Sequence, residues 1–443
     1  MMPFPKEFVW GAATASYQIE GAAREDGRGE CIWTRFSHTP GKILNGDTGD
    51  VACDHYHRYR DDVKLMQALG LGAYRFSTSW ARVIPAGVGA SNPLGLDFYD
   101  NLVDALLEAG IRPFLTLYHW DLPQALQDRG GWANPDIVHW FADYADLMTR
   151  RLGDRVKDWT TFNEPWVVAF TGHYEGRHAP GIQHLPTALM AAHHVLLSHG
   201  AAVPVIRQNV PDASVGITLD LHYRQPASDK PEDVEAFRRV DSYTFRWYLD
   251  PIFKGAYPDN LLDWLHQNAP GVGEIQAAAV PIDFLGVNYY MRWLIVHDPK
   301  AKPLQGRGYP TPGSELTTMG WEVYPDGLRQ VLMRLHQEYQ PPSLYITENG
   351  SAFEDPEPVN GVVEDPRRTA YLKAHLKAVE AAIDAGVPVK GYFTWSLMDN
   401  FEWAFGYSQR FGIIHVSYQT QERTWKRTAH EYKRIIQANA VRD

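Results

Sequence analysis

Eight short runs rich in β-branched and aromatic residues recur along the chain, separated by stretches with apolar residues every three or four positions. The runs cover 8–18, 73–80, 113–120, 159–163, 215–221, 284–290, 344–347 and 391–397. Helical spacing is clearest at 59–69, 98–109, 135–151, 186–208 and 369–385. Strands joined through helices are parallel, because a crossover helix returns the chain to the same end of the sheet. Eight such units predict an α/β fold closed into a (β/α)₈ barrel. A length of 443 residues fits such a barrel with insertions. No linker or internal repeat interrupts the pattern, so 1–443 reads as one domain.

The joints have a polarity. Helix-to-strand joints are short and carry Gly70, Gly110 and Gly386, residues suited to end a helix in a left-handed turn. Strand-to-helix joints are long, above all 166–185, 292–325 and 351–367, and are rich in Gly, Pro, Asp and Trp. A barrel with long loops on one rim builds its site there.

Composition removes several classes of function. With 42 basic against 53 acidic residues the net charge is −11, which disfavours nucleic acid and anionic membrane surfaces as partners. No run reaches the roughly 18 uninterrupted apolar residues of a membrane span. The apolar run 8–17 lacks a basic start beyond Lys6 and adjoins Glu7, so it reads as a strand rather than a signal peptide. Two cysteines, Cys31 and Cys53, are expected as free thiols, which fits a reducing, cytoplasmic setting. Histidines at 55, 57, 173, 178, 184, 193 and 194 lack ligand spacing, and Asp47–Asp50 lacks that of a calcium loop. No glycine-rich phosphate or dinucleotide motif stands at a strand-to-helix turn; no metal and no cofactor is expected. Nothing in the residues fixes an oligomeric state.

Polar residues gather where the strands end. Strand one closes on Gln18 and Glu20, strand two holds Arg75, and strand three ends at His119 and Trp120. Strand four runs into Asn163-Glu164-Pro165, strand six into Asn288-Tyr289-Tyr290, and strand seven into Glu348-Asn349-Gly350. Strand eight carries Trp395, ahead of Glu402 and Trp403. Buried acids are costly unless paired or functional. Two carboxylates at one barrel mouth suggest glycoside hydrolysis, which needs a protonated acid for the leaving oxygen and a second carboxylate across the sugar ring. Singly, Glu164 and Glu348 would pass as ordinary salt-bridged glutamates.

Together, the motifs around them resemble glycoside hydrolase family 1, the β-glucosidases and their relatives. Thr-Phe-Asn-Glu-Pro at 161–165 and Ile-Thr-Glu-Asn-Gly at 346–350 are similar to its acid/base and nucleophile motifs. The segment 8–21, Tyr-Arg-Phe-Ser at 74–77, Tyr-His-Trp-Asp-Leu-Pro at 118–123, 283–290 and 395–403 extend the likeness, in order, over the chain. The resemblance implies that Glu164 is the general acid and base and Glu348 the nucleophile, held ionised by Arg75 and the Tyr290 hydroxyl. It implies that Asn163 meets the 2-hydroxyl, that Gln18, His119 and Glu402 hold outer hydroxyls, and that Trp395 and Trp403 stack on or bond to the ring. Trp321 and Trp166 would line the leaving-group side, and Asn288 would support the site.

The expected activity is exo-hydrolysis of β-D-glucosides and related β-glycosides with retention, on small glycosides and short oligosaccharides, as in cellulose degradation. A 6-phospho-β-glycosidase is the nearest rival, and Glu402 would repel its phosphate. Thioglycosidase relatives lack the acid that Glu164 supplies. A non-catalytic sugar-binding barrel would be missing one of the two carboxylates. Transglycosylation shares the covalent intermediate and stays open.

Overall fold

The computed structural model of the protein describes residues 4–442. The eight runs become eight parallel strands closed in chain order: β1 Val9–Ala13, β2 Ala73–Ser77, β3 Arg112–Tyr118, β4 Asp158–Asn163, β5 Ser214–Asp220, β6 Phe284–Asn288, β7 Leu344–Asn349 and β8 Val389–Trp395. The circle closes where β1 pairs with both β8 and β2. Around it lie the helices α1 His55–Leu69, α2 Pro93–Glu108, α3 Ile137–Leu152, α4 Leu185–Asn209, α5 Pro231–Asp241, α6 Trp247–Lys254, α7 Pro325–Glu338, α8 Pro366–Asp384 and α9 Arg427–Ala438. This is the expected (β/α)₈ architecture.

The helices follow from their apolar stripes. In α3, Ile137, Trp140, Phe141, Tyr144, Met148 and Leu152 recur at three- and four-residue steps and are buried together, while Arg150 and Arg151 sit in its last turn, where the helix dipole favours positive charge. Helix α4 is long and apolar enough to cross a membrane, yet 72% of its most apolar window is buried inside the protein. It packs against α3, and its His193 and His194 bond the Tyr257 hydroxyl and the Trp132 carbonyl rather than converging on a common centre. Gly70 closes α1 with φ 82°, as the sequence predicts.

The two ends of the barrel differ in chemistry. At the N-terminal end Phe114 packs its ring against Phe284, Tyr345 and Phe393 at centroid distances of 5.1, 5.4 and 5.0 Å. Gly11 on β1 leaves the space that the Phe393 ring occupies. This aromatic plug shuts one mouth and leaves the other to polar groups.

Several boundaries differ from the sequence reading. The first run was expected to stay extended to Gln18, but β1 ends at Ala13 and Ser16–Ile19 forms a helical turn that swings Gln18 over the barrel. Run 73–80 ends as strand at Ser77, since Trp80 opens another short helix. Strand β7 runs on through Asn349, so Glu348 lies within the strand rather than after it. The long joint 292–325 is not all loop: Arg292–His297 and Gly306–Tyr309 form a three-stranded sheet with Tyr223–Pro226. Both cysteines are free and buried.

A buried ion network carries the loop after β8. Lys426 Nζ donates to Asp399 Oδ1 at 2.7 Å and to Asp355 Oδ2 at 2.5 Å, and Arg410 Nη1 donates to Asp399 Oδ2 at 2.6 Å. Arg368 ties Asp355 to Asp365. Burial alone would raise the Asp399 pKa; Lys426 and Arg410 outweigh it and hold the carboxyl below its ordinary value. Replacing Asp399 with Ala strands buried cations and is expected to cost about 3–5 kcal/mol, read by denaturant unfolding. Since the folded-state pKa lies below the unfolded one, the Asp399 contribution is complete above about pH 4 and drains as pH falls through the folded value. Unfolding of the wild type and the variant at a series of pH values checks the sign.

Candidate active site

The C-terminal ends of the strands deliver their polar side chains to one cavity. Its outer part has a volume of about 430 Å³, and it narrows into a recess of about 60 Å³. His119, Glu164, Tyr290, Glu348, Trp395, Glu402 and Trp403 line the recess, each less than a tenth exposed.

Arg75, from the middle of β2, is the hub. Only 1% exposed, it donates from Nη1 to Glu348 Oε1 at 2.6 Å and from Nη2 to Asn163 Oδ1 at 2.6 Å. The Tyr290 hydroxyl donates to the other Glu348 oxygen at 2.6 Å. Asn288 Nδ2 bridges onward, to Asn163 Oδ1 at 3.0 Å and to Glu164 Oε1 at 2.7 Å, and the Thr347 hydroxyl donates to Asn288 Oδ1 at 2.8 Å. Glu164 and Glu348 thus belong to one hydrogen-bonded set built from four strands, β2, β4, β6 and β7.

Local backbone departures aim these groups. The pairing of β4 with β5 slips register between Thr160 and Asn163, and that of β7 with β6 slips between Ile346 and Glu348. Such irregularities re-aim a side chain at a strand end. Glu164 adopts φ 46°, a left-handed conformation costing of order 1–3 kcal/mol. Its N–H is held by the Thr218 carbonyl at 2.9 Å, and the Trp120 indole donates to the Asn163 carbonyl at 2.9 Å. After Asn349 only glycine fits, because a Cβ on Gly350 would collide with the Trp395 carbonyl.

The two carboxyls differ in protonation. Burial raises the pKa of both, Glu348 included. Arg75 and Tyr290 nevertheless pull Glu348 back toward the charged form. At Glu164 the Asn288 bond and the more remote Arg75 charge pull down only weakly; burial, then the charges of Glu348 and Asp220, push it well above the ordinary range. Proton and charge are divided between them, Glu164 holding the proton.

The expected sugar-binding residues surround this pair. Burial, and next Arg75, push the His119 pKa far down, so its ring is neutral. Asn163 Nδ2 donates to His119 Nε2 at 3.1 Å, which puts the ring proton on Nδ1, buried and unpartnered. Gln18 Nε2 donates to Asn400 Oδ1 at 3.0 Å and to the Phe401 carbonyl at 2.9 Å, leaving Oε1 unpartnered. Burial, followed by repulsion from Glu348, lifts Glu402 to about 8. The His119 ring stacks between those of Trp395 and Trp403 at 5.9 and 6.0 Å. Trp166 and Trp321 line the outer cavity. Glu20 turns away instead: Arg82 and the Tyr99 hydroxyl hold it at 3.0 and 2.7 Å, a structural pair outside the cavity.

Among the cavity residues that escaped the sequence reading are Asp220, His222 and Arg224. The available signal was the acid at the end of the fifth run, the one run whose polar terminus drew no attention.

Comparison with known proteins decides the family. The profile described as Glycosyl hydrolase family 1 matches residues 1–441. The chain belongs to glycosyl hydrolase family 1. Within that family it is 49% identical to beta-glucosidase A of Acetivibrio thermocellus, over 98% of each chain. It is 48% identical to beta-glucosidase A of Thermotoga maritima, over 99% of each. A solved structure of a family 1 β-glucosidase from Thermotoga maritima superposes with a TM-score of 0.98 at 48% identity, covering 100% of both chains. Another from that organism, in complex with glucoimidazole, gives 0.96 at 48% identity over 99% of each. As a family 1 member, this protein is a glycoside hydrolase.

The Tyr290–Glu348 bond yields a test. Tyr290→Phe removes a donor that favours the charged carboxylate, so the Glu348 pKa rises and the acid limb of kcat/KM moves to higher pH. A loss of roughly 10- to 100-fold at neutral pH is expected for one charge-assisted bond, measured as a pH–rate profile.

Proposed function

We infer that the protein removes terminal non-reducing β-D-glucosyl and related β-glycosyl residues by hydrolysis with retention of configuration. The observation that carries the mechanism is the shared hydrogen-bonded set in which Arg75 and Tyr290 hold Glu348 while Glu164 keeps a proton.

The roles follow from that division. Glu348 attacks the anomeric carbon as Glu164 delivers its proton to the departing glycosidic oxygen, and a glycosyl ester forms. Esterification removes the Glu348 charge that kept Glu164 protonated. Glu164 then takes a proton from water as the water attacks the ester, and both residues return to their starting states. Asn163, with its Oδ1 occupied by Arg75 and Asn288 and its amide directed at His119, is the residue assigned to the 2-hydroxyl in this reading. The unpartnered Gln18 Oε1 and His119 Nδ1 supply an acceptor and a donor to outer hydroxyls, alongside Glu402. The narrow, buried recess supports attack from a chain end.

Glu402 also argues against a 6-phosphorylated substrate, since a carboxyl raised by burial offers no cation to a phosphate. For the source of substrate, one relative from Thermotoga neapolitana, 47% identical, is named 1,4-beta-D-glucan glucohydrolase. We propose short β-glucans of the kind released in cellulose breakdown as natural substrates, alongside smaller β-glucosides.

Two measurements test this reading. Proton NMR during hydrolysis of an aryl β-D-glucoside should show the β-anomer of glucose first; the α-anomer first would refute retention. Glu164→Gln should remove the alkaline limb of the pH profile and slow poor leaving groups by about 10²–10⁴-fold, and a bell unchanged by the substitution would refute the acid/base role.

A further inference from the structure

The outer cavity carries a charge that the reaction does not use. Arg224 lines it, half-buried, with one hydrogen bond from Nη1 to the His222 carbonyl at 3.3 Å. Among the described residues no carboxylate lies within 4.0 Å of its guanidinium. Neighbouring arginines on this side are all matched: Arg292 with Glu322, Arg334 with Asp241, and Arg246 with Asp241 and Glu338. Arg177 at the same cavity is tied to Glu175 at 2.5 Å. Burial works against the Arg224 charge and lowers its pKa, Asp220 and Asp241 offsetting this only in part. Asp220 is a weak counter-charge, since burial lifts it to about 7.

Beside these polar groups the cavity presents broad apolar surfaces. Trp166, Trp293 and Trp321 offer indole faces, and Met291 and Met319 offer adaptable thioethers. A ligand suited to these walls is an aromatic ring, and one suited to the open guanidinium is an anion whose two oxygens meet its fork of N–H donors.

We propose that Arg224 makes the leaving-group side of the cavity a receptor for aromatic acids, so that β-glucosides of hydroxylated aryl carboxylates are preferred substrates. The inference rests on the β-glucosidase reading above and adds the aglycone class. A glucosyl unit occupies the recess, the aryl ring lies among the indoles, and its carboxylate completes the ion pair that Arg224 lacks. Sugar aglycones meet the same donors with neutral hydroxyls and gain less from the charge.

The test compares kcat/KM for 4-carboxyphenyl β-D-glucoside and its neutral isostere, 4-carbamoylphenyl β-D-glucoside. Each phenol's intrinsic leaving ability is the same for every protein variant, so the change in the acid-to-amide ratio isolates the guanidinium. Arg224→Gln is expected to lower that ratio about tenfold or more, and Arg224→Lys to retain part of it. On the unaltered protein, added salt should lower the ratio by screening, a readout independent of how the variants fold. A ratio that is the same in all three proteins, or one indifferent to salt, overturns the proposal while leaving the β-glucosidase reading intact. Failure of the protein to cleave either glucoside would instead refute that underlying reading.

Discussion

The ion pair between Arg75 and Glu348 is the interaction on which the rest of the site depends. Both side chains are almost wholly buried, and charges taken out of water persist only when paired and hydrogen-bonded on their remaining atoms. Here the pair is completed by Tyr290 on Glu348 and by Asn163 on Arg75. One fixed negative charge then orders its surroundings. It presses the proton onto Glu164 and raises Glu402, and the cation beside it keeps His119 neutral. Burial first, and that one ion pair next, set the protonation states across the recess.

The barrel makes the contact affordable by separating two kinds of chemistry along its axis. At one end aromatic rings fill the interior and give the strands their apolar cohesion; at the other, the same strands end in donors and acceptors that satisfy one another. The register slips before Asn163 and Glu348 occur at that changeover. The buried network around Asp399 and Lys426 plays a matching part beneath the loop of Glu402 and Trp403, holding it from below without touching the cavity.

What could be read from the residues depended on how local the physical signal was. Strand runs, helical stripes and the glycine that ends α1 are governed by neighbours a few positions away, and these were legible. The convergence of Arg75, Glu164 and Glu348, hundreds of positions apart at the extreme, became legible only through the motif pattern around them. Glu20 showed the limit: it stands beside Gln18 in a strand-end motif, yet the helical turn at Ser16–Ile19 sends the two in different directions, one to the cavity and one to Arg82. Burial at Glu348, which raises its pKa against the pull of Arg75 and Tyr290, was likewise invisible in the residues. Asp220 and Arg224 carry no motif, and only the closed barrel and its side sheet bring them to the rim.

The central claim is that Glu348, and not Glu164, makes the bond to the sugar. The most direct test is to incubate the protein with an activated 2-deoxy-2-fluoro-β-D-glucoside, whose fluorine slows both steps, and to locate the attached sugar by peptide mass spectrometry. The label is expected on Glu348, in the peptide containing Ile-Thr-Glu-Asn-Gly. A label on Glu164, Glu402 or Asp220, or inactivation without any attached sugar, would contradict the account.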